Sequence, residues 1–175
     1  MARSLGNSIA DSLELGVDYA EKLLKDVTPD KFARLAAPGG SPIQSNHGAF
    51  IYGHLSLYAP QVTMHLGDGA PEIVIPDGFE KLFSKDATCV DDPAGDIYPS
   101  QEQVTQCFID GYRKTCAALR EVSNEPLEQA NPTPGRLGER FPTVGSVVAF
   151  YCGGHLMLHL GQMSAWRRMM GLSPA

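Results

Sequence analysis

Five histidines are the residues of this chain best suited to binding a metal ion. His155 and His159 lie one helical turn apart in the uncharged stretch GGHLMLHLGQ, and His47, His54 and His65 lie upstream of them. Imidazoles four residues apart on a helix project from one face and can chelate one divalent ion. The pair encloses no Glu, which excludes the H-E-x-x-H pattern of zinc proteases.

Two histidines leave a tetrahedral site incomplete, so a third ligand has to come from another helix. His54 is seven residues from His47 and eleven from His65, so the three share one stripe, about 10 Å and about 16 Å apart along the axis. His54 lies near the middle of its helix, as His155 and His159 do in theirs, and facing helices meet at matching heights. We therefore predict His54 as the third ligand. Spacing alone leaves open the alternative that these histidines pack in the core without a metal.

Four long segments carry apolar residues at three- and four-residue spacing, which is typical of helices. They are residues 5–27, 46–66, 100–122 and 143–170. Ser100 and Gln103 form a capping-box pattern at the start of the third helix. Residues 67–99 form a long connection, in which PDGFEKLFS predicts one or two helical turns. We expect an all-α four-helix bundle that forms a single domain over residues 1–175.

Composition restricts the partners of the chain. Its net charge is −6, with 43% apolar and 19% charged residues. Without clustered positive charge we expect no nucleic-acid binding. Residues 141–165 lack charged side chains, but they include two histidines and several glycines, so we expect a buried helix and no membrane span. The four cysteines form no C-x-x-C pair and no secretory leader is recognised, so we expect reduced thiols and a cytoplasmic protein.

Two segments resemble the DinB-like (damage-inducible, YfiT-like) metalloprotein family. NHGAFIYGHLSLY resembles the family's W-x-L-x-H-L segment on helix two, although Phe50 or Ile51 stands where the family often has Trp. GGHLMLHLGQMSAWRRMMGL resembles its H-x-x-x-H-x-x-Q signature on helix four. The resemblance covers essentially the whole chain and implies a bundle with a long crossover between helices two and three. It also implies a divalent ion, zinc or nickel most often, held by His54, His155 and His159.

A three-histidine site leaves a position for water or substrate, as in catalytic zinc sites. The resemblance extends to transferases that use a low-molecular-weight thiol, and this is the function we expect. The alternatives are a metal-dependent hydrolase and a non-catalytic metal- or ligand-binding stress protein. Gln162, three residues after His159, is the candidate cofactor-binding residue. No catalytic base or nucleophile is identifiable; we expect a small-molecule substrate and a homodimer, with Trp166 a candidate contact residue.

Overall fold

Helices make up most of the chain in the computed structural model, which describes residues 3–67 and 69–175. Within those two ranges there is no β-strand, and Ala130 and Thr143 form an isolated antiparallel bridge. The helices are α1 (Leu5–Leu23), α2 (Pro29–Phe32), α3 (Gly48–Ser56), α4 (Ala59–Met64), α5 (Phe79–Phe83), α6 (Gln101–Glu121), α7 (Asn124–Glu128), α8 (Arg136–Arg140), α9 (Val144–Ala149) and α10 (Leu156–Met169). A π-helical segment, Phe150–His155, joins α9 to α10.

The first helix ends earlier than its apolar pattern predicts. The pattern runs to Val27, but α1 stops at Leu23, and Asp26 has a left-handed φ of 62°. The buried guanidinium of Arg167 donates to the carbonyl oxygens of Leu23, at 2.7 Å, and Lys25. Carbonyl groups at a helix C-terminus lack intrahelical partners, so a cation from α10 satisfies them and fixes where α1 ends.

The second predicted helix, residues 46–66, is two helices. Leu57 and Tyr58 form a turn between α3 and α4, and Pro60 lies in the first turn of α4. Proline lacks the N–H of a helix interior, and its ring collides with the carbonyl group four residues earlier. Continuous helix is therefore unfavourable from Ser56 onward, and the prediction of a single helix is wrong.

The third helix matches its prediction closely. α6 spans Gln101–Glu121, and the hydroxyl of Ser100 accepts from the N–H of Gln103 at 3.2 Å. The reciprocal half of the predicted capping box is not formed, because the Gln103 side chain lies against the Ser100 hydroxyl. A complete capping box occurs instead at Thr143 and Ser146, at the start of α9.

The fourth predicted helix, residues 143–170, is interrupted by the π-helical segment. The run from Val144 to Met169 is long enough, and apolar enough over part of its length, to cross a membrane. A core helix of a soluble protein passes the same test, and 44% of its most apolar window is buried inside the protein. Trp166, the candidate contact residue, is 1% exposed and donates from Nε1 to the carbonyl oxygen of Arg34, so its ring packs inside the chain and not on its surface.

The long helical segments pack around a common apolar core. α1 contacts α6 and α10, and α3 also contacts α6 and α10. Fully buried side chains from each segment meet there, including Leu13, Ile51, Phe108 and Leu160. This arrangement sets the last turn of α3, which carries His54, against the junction of the π-helical segment and α10, which carries His155 and His159.

Candidate metal centre

Three histidines from two facing helices converge at one point. One ring nitrogen from each of His54, His155 and His159 lies within 4.8 Å of the others. The ring centroids of His54 and His159 are 4.7 Å apart, as are those of His155 and His159, and His54 and His155 are 5.5 Å apart. The structure thus brings together the three residues that helix height predicted, in an arrangement that could hold a metal ion.

His54 has a defined tautomer. Its Nδ1 lies 2.7 Å from the carbonyl oxygen of Phe83 at the end of α5. Because a carbonyl oxygen only accepts, Nδ1 carries the proton and Nε2 keeps its lone pair. Metal-binding histidines are oriented by this kind of hydrogen bond from the second ring nitrogen. The connection between helices two and three therefore orients a candidate ligand.

His159 is oriented by Gln162, the residue predicted to bind the cofactor. Oε1 of Gln162 lies 3.2 Å from Nδ1 of His159, and Nδ2 of Asn46 donates to the same oxygen at 3.1 Å. With the amide oxygen accepting both bonds, Nε2 of His159 is left free. Gln162 thus contacts a candidate ligand, and Asn46 joins the loop before α3 to this network.

Nδ1 of His155 is buried and has no hydrogen-bond partner among the described residues. A buried polar nitrogen without a partner is destabilising in the absence of a ligand. It lies in a cluster where each imidazole can offer a lone pair, so a bound cation fits the residues present. Three nitrogen ligands with one position left open is the arrangement of catalytic zinc sites.

Burial keeps the three imidazoles neutral. It lowers the pKa of His155 to about 3, helped by the neighbouring His159 and His54. Burial also lowers the pKa of His159 to about 4, with a further contribution from His54, while the bond to Gln162 opposes the shift. The pKa of His54 is lowered by burial as well. Neutral imidazole is the form that binds metal, so the site is ready for a cation at neutral pH.

Aromatic rings surround the cluster and were not selected from the sequence. The ring of Tyr58 lies 4.3 Å from that of His155 and 5.0 Å from that of His54, and Tyr151 lies 5.1 Å from Tyr58. Tyr58 lies four residues after His54, and the backbone of Leu57 and Tyr58 stays in the right-handed helical region, so the two side chains share one face. Burial raises the pKa of both phenols, so they stay protonated at neutral pH.

The remaining histidines and the nearest cysteine lie outside the cluster. His47 is the N-cap of α3: its Nδ1 accepts from the N–H of Phe50 at 3.2 Å, and its Nε2 donates to the carbonyl oxygen of Val90. His65 is the C-cap residue of α4. Cys152 is fully buried, which raises the pKa of its thiol and keeps it protonated. The four cysteines are free thiols.

Comparison of this chain with protein-family models, curated proteins and solved structures finds no match.

Proposed function

We propose that this chain binds a divalent metal ion at His54, His155 and His159 and uses it to transfer a low-molecular-weight thiol to an apolar electrophile. The observation that carries the proposal is the convergence of three neutral imidazoles from facing helices. The DinB-like resemblance of the two histidine segments supports it. In the same proposal, the four long helical segments are the family's bundle, and residues 67–99 are its crossover between helices two and three.

Zinc or nickel is the proposed ion. Imidazole nitrogen suits Zn²⁺ and Ni²⁺, whereas Mg²⁺ and Ca²⁺ prefer carboxylate and carbonyl oxygens. The candidate ligands among the described residues of the cluster are three histidines without a carboxylate. The charge of the ion would therefore be little compensated by its ligands, which favours an anionic fourth partner such as a thiolate.

The surrounding residues supply orientation and an apolar environment. When bound, a divalent cation would lower the pKa of a thiol or of a water molecule. The carbonyl oxygen of Phe83 and the amide of Gln162 hold two imidazoles in fixed tautomers. Tyr58 and Tyr151 lie beside the cluster as protonated phenols that can each donate a hydrogen bond. In the transfer itself the sulfur forms a bond to carbon as the bond between that carbon and the leaving group breaks. The leaving group departs with the electron pair of the broken bond, and the thiol proton goes to solvent.

Metal content of the untagged protein tests the first half of the proposal. We expect about one divalent ion per chain, and its loss in His54→Ala, His155→Ala and His159→Ala, because removing one of three ligands removes most of the chelation. His65→Ala is the matched control and should retain the ion. His47→Ala should retain it too, although that variant should be less stable. Metal retained in all three ligand variants would refute the site.

Turnover tests the second half. Metal-loaded protein should accelerate conjugation of a small thiol to an apolar electrophile, and His159→Ala should abolish that acceleration. Hydrolysis of esters or amides without added thiol would replace the transferase by a hydrolase. Saturable ligand binding without turnover of either kind would replace it by a binding protein. We further propose a cytoplasmic homodimer that acts on a small molecule without membrane or nucleic-acid partners, which sedimentation and cell fractionation would test.

A further inference from the structure

An open groove of 890 Å³ lies beside the histidine cluster. The groove is formed by α8, the residue that follows it and the first residue of the π-helical segment. It is lined by Arg136, Leu137, Glu139, Arg140, Phe141 and Phe150. Its volume is in the range of small-molecule sites.

The charge of the groove is opposite to that of the chain. Arg136 and Arg140 lie one turn apart on α8 with exposed side chains. Neither guanidinium forms a salt bridge or hydrogen bond with any residue of the described ranges, and Glu139 is the one acidic residue of the lining. The groove therefore carries net positive charge on a chain whose net charge is −6. Two guanidinium groups at this spacing suit a carboxylate or a phosphate.

The apolar part of the groove is flat and aromatic. Phe141 and Phe150 are stacked, with ring centroids 4.6 Å apart and ring planes 24° from parallel. Leu137 lines the groove beside them. A flat apolar ligand buries more area against such a surface than a round one of the same size, and stacking on the rings adds to its affinity.

The groove is joined to the histidine cluster through one ring. Phe150 belongs to the groove lining and begins the π-helical segment, which ends at His155. The ring centroids of Phe150 and His155 are 5.7 Å apart. A ligand that packs on Phe150 thus lies about one aromatic ring from a candidate metal ligand.

We propose that this groove binds an organic anion with a flat aromatic body, and that among electrophiles with an apolar body it selects, for the histidine cluster, those that also carry an anionic group. The arginines would hold the carboxylate or phosphate, and Phe141 and Phe150 would hold the ring. The second half of the inference rests on the function proposed above. The first half does not require a metal.

Calorimetric titration with 2-naphthoate and its neutral analogue 2-naphthamide tests the groove, with naphthyl phosphate as the phosphate arm. We expect both anions to bind and the amide to bind roughly tenfold more weakly, the effect of two exposed charge pairs. Arg136→Gln/Arg140→Gln should remove that difference and leave metal content unchanged. Glu139→Gln should strengthen naphthoate binding. Arg113→Gln is the matched control, because Arg113 pairs with Glu21 outside the groove.

The metal-free His159→Ala protein separates this inference from the proposed function. Naphthoate should bind it as it binds the wild type, because the arginines need no metal. Loss of binding in that protein would mean that the carboxylate ligates the ion, and would overturn the groove. Equal affinity for naphthoate and naphthamide would overturn it as well, as would a double arginine variant that binds like the wild type. If the groove selects the substrate, naphthoate should inhibit thiol transfer competitively. Turnover that is unchanged at saturating naphthoate would refute the proposal that the groove selects the substrate.

Discussion

The carbonyl oxygen of Phe83 lies 2.7 Å from Nδ1 of His54, which connects the segment between helices two and three to the candidate metal centre. Phe83 is fully buried and stacks on Tyr98 with ring centroids 5.7 Å apart. Its ring also packs directly on Gly53, the residue before the histidine, and a Cβ at Gly53 would lie 2.5 Å from it. The position of α5 against α3 thus depends on a residue without a side chain.

Gly53→Ala should weaken metal binding although it leaves every ligand in place. The added methyl group has to displace the buried ring of Phe83, which moves α5 away from α3. The hydrogen bond from Nδ1 of His54 to the carbonyl oxygen of Phe83 then becomes longer. We expect a loss of about 1–3 kcal/mol in the free energy of unfolding from overpacking. Metal affinity should fall roughly tenfold from the lost orientation. Thermal unfolding and chelator competition measure the two effects.

Gly161→Ala is the matched control for that substitution. Gly161 also lies on a helix that carries candidate ligands, but a Cβ there would meet nothing within 4 Å. Alanine should stabilise α10 by up to about 1 kcal/mol and leave metal affinity unchanged. If both glycine variants affect metal binding equally, the contact between Phe83 and Gly53 is not what positions His54.

Gln162→Ala should reduce metal affinity roughly ten- to a hundredfold without emptying the site at high metal concentration. The substitution removes the acceptor that holds Nδ1 of His159. Asn46→Ala is the control, since it removes the other partner of that amide and leaves the contact with the histidine. Chelator competition should rank wild type, Asn46→Ala and Gln162→Ala in that order. If the two variants lose metal affinity equally, the loop that carries Asn46 determines the affinity, and the contact between Gln162 and His159 does not.

Helix spacing placed His155 and His159 on one face, and the predicted convergence of both with His54 is confirmed. The premise that His54 lies at the middle of its helix is wrong, because α3 ends at Ser56 and His54 lies in its last turn. The same pattern predicted the bounds of α6 within a residue or two. Periodicity was sufficient wherever a segment is regular and its buried face is continuous.

The partners of the histidines were harder to predict. The acceptor for His54 is a backbone carbonyl 29 residues away, and a carbonyl group has no signature in the sequence. The π-helical segment before His155 contains Gly153 and Gly154, which weaken an α-helix without specifying what replaces it. Tyr58 follows His54 by one helical turn, but the contact of its ring with His155 depends on how the second helical segment packs against the fourth. These contacts depend on tertiary packing, which local patterns do not encode.

Acid should destabilise the metal-free protein through its buried imidazoles. His155 and His159 have a pKa of about 3 and about 4 in the folded protein, against about 6.5 when unfolded. Between pH 6.5 and 4 the unfolded chain therefore binds protons that the folded chain does not, so the free energy of unfolding falls as pH falls. The thermal midpoint of metal-stripped protein should decline across this window.

The double variant His155→Gln/His159→Gln isolates that effect. His47, His54 and His65 remain in it, so the contribution of the two replaced imidazoles is the difference between the two pH profiles. We expect a flatter decline of the thermal midpoint between pH 6.5 and 4 in the variant. Parallel profiles would show that the imidazoles of His155 and His159 are not held neutral by the fold.

Asp92→Asn should destabilise the protein by about 2 kcal/mol at pH 7. The buried carboxylate accepts four backbone N–H groups: Oδ1 from Gly95 and Asp96, Oδ2 from Ile97 and Tyr98, at 2.8–3.1 Å. Burial alone would raise the pKa of this carboxyl, but the four donors lower it overall. An amide would keep one acceptor oxygen and turn its N–H₂ toward two donors.

Denaturant unfolding of Asp92→Asn beside Asp96→Asn checks this expectation. The side chain of Asp96 is exposed, so its replacement should change the free energy of unfolding by no more than about 0.5 kcal/mol. Because the pKa of Asp92 is lowered in the folded state, its stabilising effect is present above pH 3.8 and is lost as pH falls through the folded value. The gap between wild type and Asp92→Asn should therefore close in acid. Asp92 alone accepts the four N–H groups that fold residues 92–98 against Phe83. If the two variants lose equal stability at pH 7, this stabilising role of the Asp92 carboxylate is wrong.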